Sequence, residues 1–434
     1  MSAPQEPLPP REGLPPREGL PPSDGPANQT APSQEGVPLT PVAGVVILVA
    51  LVLAAFNLRP AVTSVGPLLE EIRTGLGMGG VVAGLLTALP AACFVAFGSL
   101  APRLVARSFP SRLVWIALAA VTVGLALRPF MPGTATFVLV SCLALGGIGV
   151  ANIMMPVVVR RAFPRRVGMV TGVYSMGLTL GAATAAAVTV PLTGALGGDW
   201  RYGLAFWAVP AVLAMVLWMG VARWIRHRAG GRPAGASSGG LRLTRSRTAW
   251  AVAILFGLQS TQAYVTMGWV PQIYRDAGLS ATYAGVLLAL IPAIGVPTSF
   301  LVPTLAARLR TQGGVAVGLT ALGFVGYLGL WIMPTTVPWL WVLVLGVSQS
   351  VFPLALTMIG LRTRSAAGTV GLSSFGQSIG YLISIPGPIV VGALYEATGG
   401  WHVPIALLLV LLVPQGVAGV LAGRNRFVED DLGV

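Results

Sequence analysis

The segment Asn57-Leu58-Arg59-Pro60 sets a guanidinium inside an apolar run that begins near Val42. At about 1.5 Å per helical residue, Arg59 stands roughly 25 Å from Val42. A charge at that depth costs about 2.5–3.5 kcal/mol on insertion scales and by default marks a functional cavity. Pro60 has no N–H to donate, so the helix is expected to kink there. A planar five-donor cation beside a kink, with the Asn57 amide in the same segment, suits a small anion. No acid lies deep in any apolar run to pair with Arg59.

Other polar residues in apolar surroundings are weaker candidates. Arg128, in Leu127-Arg128-Pro129-Phe130, has two readings: an interface anchor, or a second guanidinium at the mouth of a cavity. The amides Asn152, Gln349 and Gln377 suit either solute orientation or helix–helix hydrogen bonds. Gln259, Ser260, Gln262, Tyr264 and Trp269 fall close together, and Gln259, Gln262 and (more loosely) Trp269 share one helical face. Tyr174 and Tyr381 either cap a pocket or pack. Glu70, Glu71, Asp276 and Glu396 sit at helix ends, where they are candidates for a proton-sensitive gate. Small-residue pairs such as Gly177/Gly181 and Gly376/Gly380 point to close helix packing.

Several chemistries lack their residues. His227 and His402 have no metal-binding neighbourhood, and no Cys/His/Asp cluster is present, so no metal is expected. No phosphate-cradling loop occurs. No nucleophile–base pair suggests an enzyme, and no cofactor is expected. Cys93 and Cys142 read as buried small hydrophobes.

These residues must be positioned by membrane helices. Of 434 residues, 55% are hydrophobic and 9% charged, a composition that cannot cover a soluble surface. Residues 1–40 repeat Pro-Pro-Arg-Glu-Gly-Leu and are expected to be a disordered cytoplasmic tail. Twelve apolar spans follow, near 42–69, 79–100, 112–130, 136–158, 167–195, 203–224, 249–273, 281–305, 314–333, 336–360, 368–394 and 402–422. The expected fold is therefore an all-α membrane protein of twelve transmembrane helices. A basic Gly/Ser-rich linker, 225–247, separates a six-helix bundle at 41–224 from a second at 248–423, and a cytoplasmic tail follows at 424–434. The halves echo each other. Leu100-Ala-Pro102-Arg-Leu104-Val-Ala106-Arg107 matches Leu301-Val-Pro303-Thr-Leu305-Ala-Ala307-Arg308, and Gly149-Val150-Ala-Asn152 through Pro156 matches Gly346-Val347-Ser-Gln349 through Pro353. With both termini inside, 22 of 27 arginines fall on the cytoplasmic side. The net charge of +14 thus orients the chain against a lipid bilayer, and no nucleic acid is expected as a partner.

Two six-helix halves with basic loops describe the major facilitator architecture. The stretch Asn57-Leu58-Arg59-Pro60-Ala-Val-Thr63-Ser64-Val-Gly66-Pro67 resembles the first-span signature of the cyanate and 2-nitroimidazole transporter family within that superfamily. Leu85-Leu-Thr87-Ala-Leu-Pro90, Leu127-Arg128, Asn152-Ile-Met-Met-Pro156, Gly257-Leu-Gln259-Ser260, Trp269-Val-Pro271 and Gln377-Ser-Ile-Gly380-Tyr381 are similar to it too. One departure is Gly98-Ser-Leu100-Ala-Pro102-Arg103, with proline where the superfamily's loop commonly has aspartate. The resemblance implies a secondary transporter working by alternating access, with Arg59 and Arg128 as the positions to test for substrate binding. The expected solute is small, planar and anionic or weakly acidic. Protons, carried on the solute or through the four gate acids, are the expected coupling ion. A broad drug exporter and a non-transporting sensor of the same fold are the alternatives.

Overall fold

In the computed structural model, residues 41–107, 109–163, 166–228 and 242–433 are described. The expected N-terminal tail and the centre of the linker lie outside them. Eighteen helices follow in order among the described residues. The first half holds α1 (Pro41–Asn57), α2 (Pro60–Thr63), α3 (Leu69–Leu76), α4 (Gly80–Arg107), α5 (Pro110–Leu127), α6 (Thr134–Ala162), α7 (Val167–Ala195), α8 (Trp200–Ala205) and α9 (Ala208–Arg228). The second holds α10 (Arg247–Asp276), α11 (Ala281–Arg308), α12 (Gly313–Ile332), α13 (Pro338–Ser348), α14 (Val351–Leu361), α15 (Ala366–Ser384), α16 (Pro386–Thr398), α17 (His402–Ala422) and α18 (Val428–Leu432). No strand occurs among the described residues.

Among the described residues, eleven stretches are long and apolar enough to cross a membrane. The seventh expected span, α10, is the exception. It is 30 residues long, but Gln259, Ser260, Thr261, Gln262, Thr266 and Gln272 dilute its apolarity. All six are buried, because neighbouring helices enclose α10 and it meets little lipid. The outer helices show the opposite pattern. Leu139, Leu180, Val209, Leu301, Val410 and Val413 face outward at 60–70% exposure, an apolar belt fit for hydrocarbon.

Four spans are discontinuous among the described residues, each with proline just beyond the break; the sixth parts at Phe206–Trp207, between α8 and α9. The first span stops at Asn57 and restarts at Pro60, where the missing N–H falls at a position that needs none. The tenth breaks at Gln349–Ser350 and the eleventh at Ile385. Breaks at this depth expose backbone carbonyls, tolerable only where protein or a cavity satisfies them. The paired glycines do serve packing. Gly177 and Gly181 of α7 lie against the Val52 and Phe56 carbonyls of α1, and Gly380 of α15 lies against Phe256 of α10.

The C-terminal residues form a docked strap. Asp431 accepts from the Ser246 hydroxyl and the Thr248 N–H at the start of α10, both at 2.8 Å. Glu429 accepts from the N–H groups of Arg364 and Ser365 and from the Ser365 hydroxyl, at the start of α15. Burial alone would raise both carboxyls, but these hydrogen bonds outweigh it and hold each below its ordinary value. Stability from such depressed groups is complete above the unfolded value and is lost as pH falls through the folded one. Glu429→Gln with Asp431→Asn is therefore expected to lower the melting temperature of the purified protein at neutral pH. Below the ordinary carboxylate range the wild type should lose the same advantage, and melting curves across pH check both statements. Each carboxylate cap is worth about 1 kcal/mol.

Candidate functional site

The break after α1 organises the site. Its freed carbonyls are partly satisfied within the segment, since the Ser64 hydroxyl donates to Pro60 O and the Thr63 hydroxyl to Arg59 O. Arg59 is half-buried, and its guanidinium has no hydrogen-bond or ion-pair partner among the described residues. Its charge reaches the hydroxyls of Tyr264 on α10 and Tyr381 on α15. The two polar residues of the motif thus part company. Asn57 is held by backbone instead: its amide nitrogen donates to Leu53 O at 2.8 Å and to Pro210 O of α9 at 3.0 Å.

Arg128 lies deeper than an interface anchor would. It is 1% exposed, and it donates to Ala61 O at 2.8 Å and to the Ser64 hydroxyl at 3.4 Å. Its Nε has no partner, and no carboxylate pairs with it among the described residues. A buried guanidinium held only by neutral groups is under-compensated. It forms part of the wall of a narrow, partly open cavity. Ala61, Val62, Val65 and Gly66 line one side, Leu86, Thr87 and Pro90 of α4 another. Ser141 and Leu145 of α6 and Tyr264, Met267 and Gly268 of α10 complete it.

The polar residues of α10 do not act as one face. Gln259 donates to Gln349 Oε1 at 2.8 Å, and Gln349 donates on to Thr266 at 3.4 Å. That chain runs from α10 to the break between α13 and α14. Gln262 instead donates to Leu408 O of α17. Trp269 is fully buried among Tyr395 and Trp401, with ring centroids 5.8 and 5.7 Å away. The expected shared face divides because α10 is surrounded, and each polar residue meets a different neighbour. Asn152 of α6 is half-buried with no side-chain partner among the described residues. Tyr174 of α7 packs in the core, and Gln377 donates to Ser373 one turn back. Tyr381 sits edge-on to Phe94 of α4 and Phe256 of α10. Thr87, Ser141 and Met267, which line the cavity, lie outside the expected set. Single small hydroxyls in apolar runs carry no signal that separates lining from packing.

The gate acids gather at one end. Glu71 binds Arg275 through two bonds of 2.8 and 2.9 Å, joining α3 to α10 across the halves. Glu396 of α16 accepts from the Gly80 N–H of α4 at 2.6 Å. Asp276 accepts from Tyr395 and Trp401, while Glu70 pairs with Arg73 at 3.2 Å. The backbones also meet here: the bare Cα of Gly66 abuts the Met267 carbonyl, and Gly80 abuts Gly392. The cavity is therefore closed toward this acidic end by contacts between halves. The Glu71 and Arg275 side chains are 34% and 20% exposed, so screening limits the pair to about 1 kcal/mol. Glu71→Gln is expected to raise the rate at which an impermeant maleimide, added on the acidic side, labels a cysteine at Val65. Exchanging the charges, Glu71→Arg with Arg275→Glu, should restore the slow rate.

A helical, proline-broken bundle closed at one end around a basic cavity is a form suited to a membrane carrier. The family model of the Major Facilitator Superfamily matches residues 45–385, and the chain belongs to that superfamily. It is 34% identical over 385 residues to the uncharacterized transporter YycB of Bacillus subtilis (strain 168), covering 88% of this chain and 94% of that protein. Two relatives from Escherichia coli (strain K12) are the 2-nitroimidazole transporter, 32% identical over 89% of this chain and 97% of that one, and the cyanate transport protein CynX, 33% identical over 82% and 91%. The fold superposes on a bacterial homologue of the human lysosomal transporter Spinster, solved inward-facing and unoccupied, with a TM-score of 0.74 at 16% identity. That match covers 91% of this chain and 99% of the other. The protein is thus a multi-pass membrane transporter and not an enzyme.

Proposed function

We propose that the protein is a secondary transporter that carries a small planar solute, anionic or weakly acidic, across the bacterial inner membrane. The observation that carries this reading is a pair of guanidiniums at the α1 break, Arg59 without a hydrogen-bond or ion-pair partner and Arg128 without a carboxylate among the described residues. A guanidinium matches delocalised planar anions better than an ammonium does. The relatives named for cyanate and 2-nitroimidazole handle solutes of that kind. In this reading the arginine-rich side is cytoplasmic, both termini lie there, and the acidic end faces outward. The two six-helix halves rock about the site, and protons are the coupling ion. A thermal-shift screen of the purified protein against cyanate, 2-nitroimidazole and lipophilic cations tests it. Stabilisation by the first two and not by the cations is expected; stabilisation by the cations alone would reject it.

A further inference from the structure

Among the cavity wall residues, two buried polar atoms, each able to donate, have no partner among the described residues. Arg128 Nε has none, and the Ser141 hydroxyl, on a residue 1% exposed, has none. The Tyr264 hydroxyl, from the opposite half, also has no hydrogen-bond partner among the described residues. Thr87 is different, because its hydroxyl already donates to Gly84 O. The remaining wall is apolar, with Val62, Val65, Leu86, Leu145 and Met267. Leaving a buried donor unpaired costs about 1–3 kcal/mol, and here two such atoms and the unpartnered Tyr264 hydroxyl belong to residues around one space.

We infer that Arg128, Ser141 and Tyr264 form an anion subsite, separate from Arg59, that selects a singly charged head group. This rests on the transport reading above and adds the charge state and the residues that read it. One guanidinium compensates one negative charge. A dianion would leave its second charge against aliphatic side chains. Tyr264 belongs to the second half, whereas Arg128 and Ser141 belong to the first. The subsite is therefore complete only while the halves are closed at the acidic end. Anion binding should favour that closure.

The test uses purified full-length protein, with cyanate as the monoanion and sulfate as the dianion, followed by thermal shift. Cyanate should stabilise the wild type and sulfate should not. Ser141→Ala breaks no bond in the structure, so it keeps the fold. It should raise the half-saturating cyanate concentration about tenfold, as expected for one lost hydrogen bond to a charge. Tyr264→Phe should act similarly, and Arg128→Gln should abolish the shift. An unchanged half-saturation in both Ser141→Ala and Tyr264→Phe, with Arg59→Gln still abolishing the shift, would overturn the subsite and leave the transport reading standing. An equal response to sulfate would overturn the charge selection. No shift by cyanate or 2-nitroimidazole on the wild type would overturn both.

Discussion

Arg59→Gln is expected to reduce transport of a small anion by at least ten- to a hundredfold while leaving yield and melting temperature close to wild type. Two facts set that expectation. The guanidinium makes no hydrogen bond or ion pair with the described protein, so its loss leaves no buried partner unsatisfied. A hydrogen bond to a charged group is worth about 1.5–3 kcal/mol, and each 1.4 kcal/mol is tenfold in affinity. Arg59→Lys keeps the charge but loses the planar fork, so it should recover part of the activity and not all of it. Arg128 offers a contrast. It holds Ala61 O in place, so its removal should lower stability together with binding. Initial rates in proteoliposomes, normalised to reconstituted protein, separate the two arginines.

The second large effect is conformational. Gly66 meets the Met267 carbonyl so closely that an added methyl has no room while the halves are closed. The obstacle is backbone, not the end of a flexible side chain. Gly66→Ala should therefore destabilise the closed state by about 1–3 kcal/mol, the usual cost of overpacking. That corresponds to roughly five- to 150-fold in the population open at the acidic end. The open state loses the contact and takes no penalty. Labelling of a cysteine at Val65 from the acidic side should accelerate accordingly, far more than in Glu71→Gln. An unchanged rate would mean that this contact does not separate the two states.

The sequence shows the membrane architecture because that is a one-dimensional signal. Span lengths, the Pro60 interruption and the placement of arginines are written in order along the chain. The partners of polar groups are not. Glu71 and Arg275 are 204 positions apart, and nothing in either neighbourhood announces the other. Gln259, Gln262 and Trp269 have helical spacing, yet α10 is enclosed on all sides, so spacing does not decide which neighbour each one meets. Arg128 was equally consistent with an interface, since its position near a span end gives no depth. In the structure it is buried and donates to the Ala61 carbonyl, just past the break before Pro60. Ser141 was invisible for a simpler reason: serine in an apolar helix commonly bonds its own backbone, and here it does not.

The central question is whether the protein carries a small anion through the membrane in a way that needs Arg59. Counterflow measures this most directly. Proteoliposomes loaded with unlabelled cyanate are diluted into a trace of labelled cyanate, and the experiment is repeated with 2-nitroimidazole. Transient accumulation of label in wild-type vesicles, lost in Arg59→Gln vesicles of equal protein content, is the predicted result. Accumulation in Arg59→Gln vesicles equal to the wild type, or none above protein-free liposomes for either solute, would contradict it.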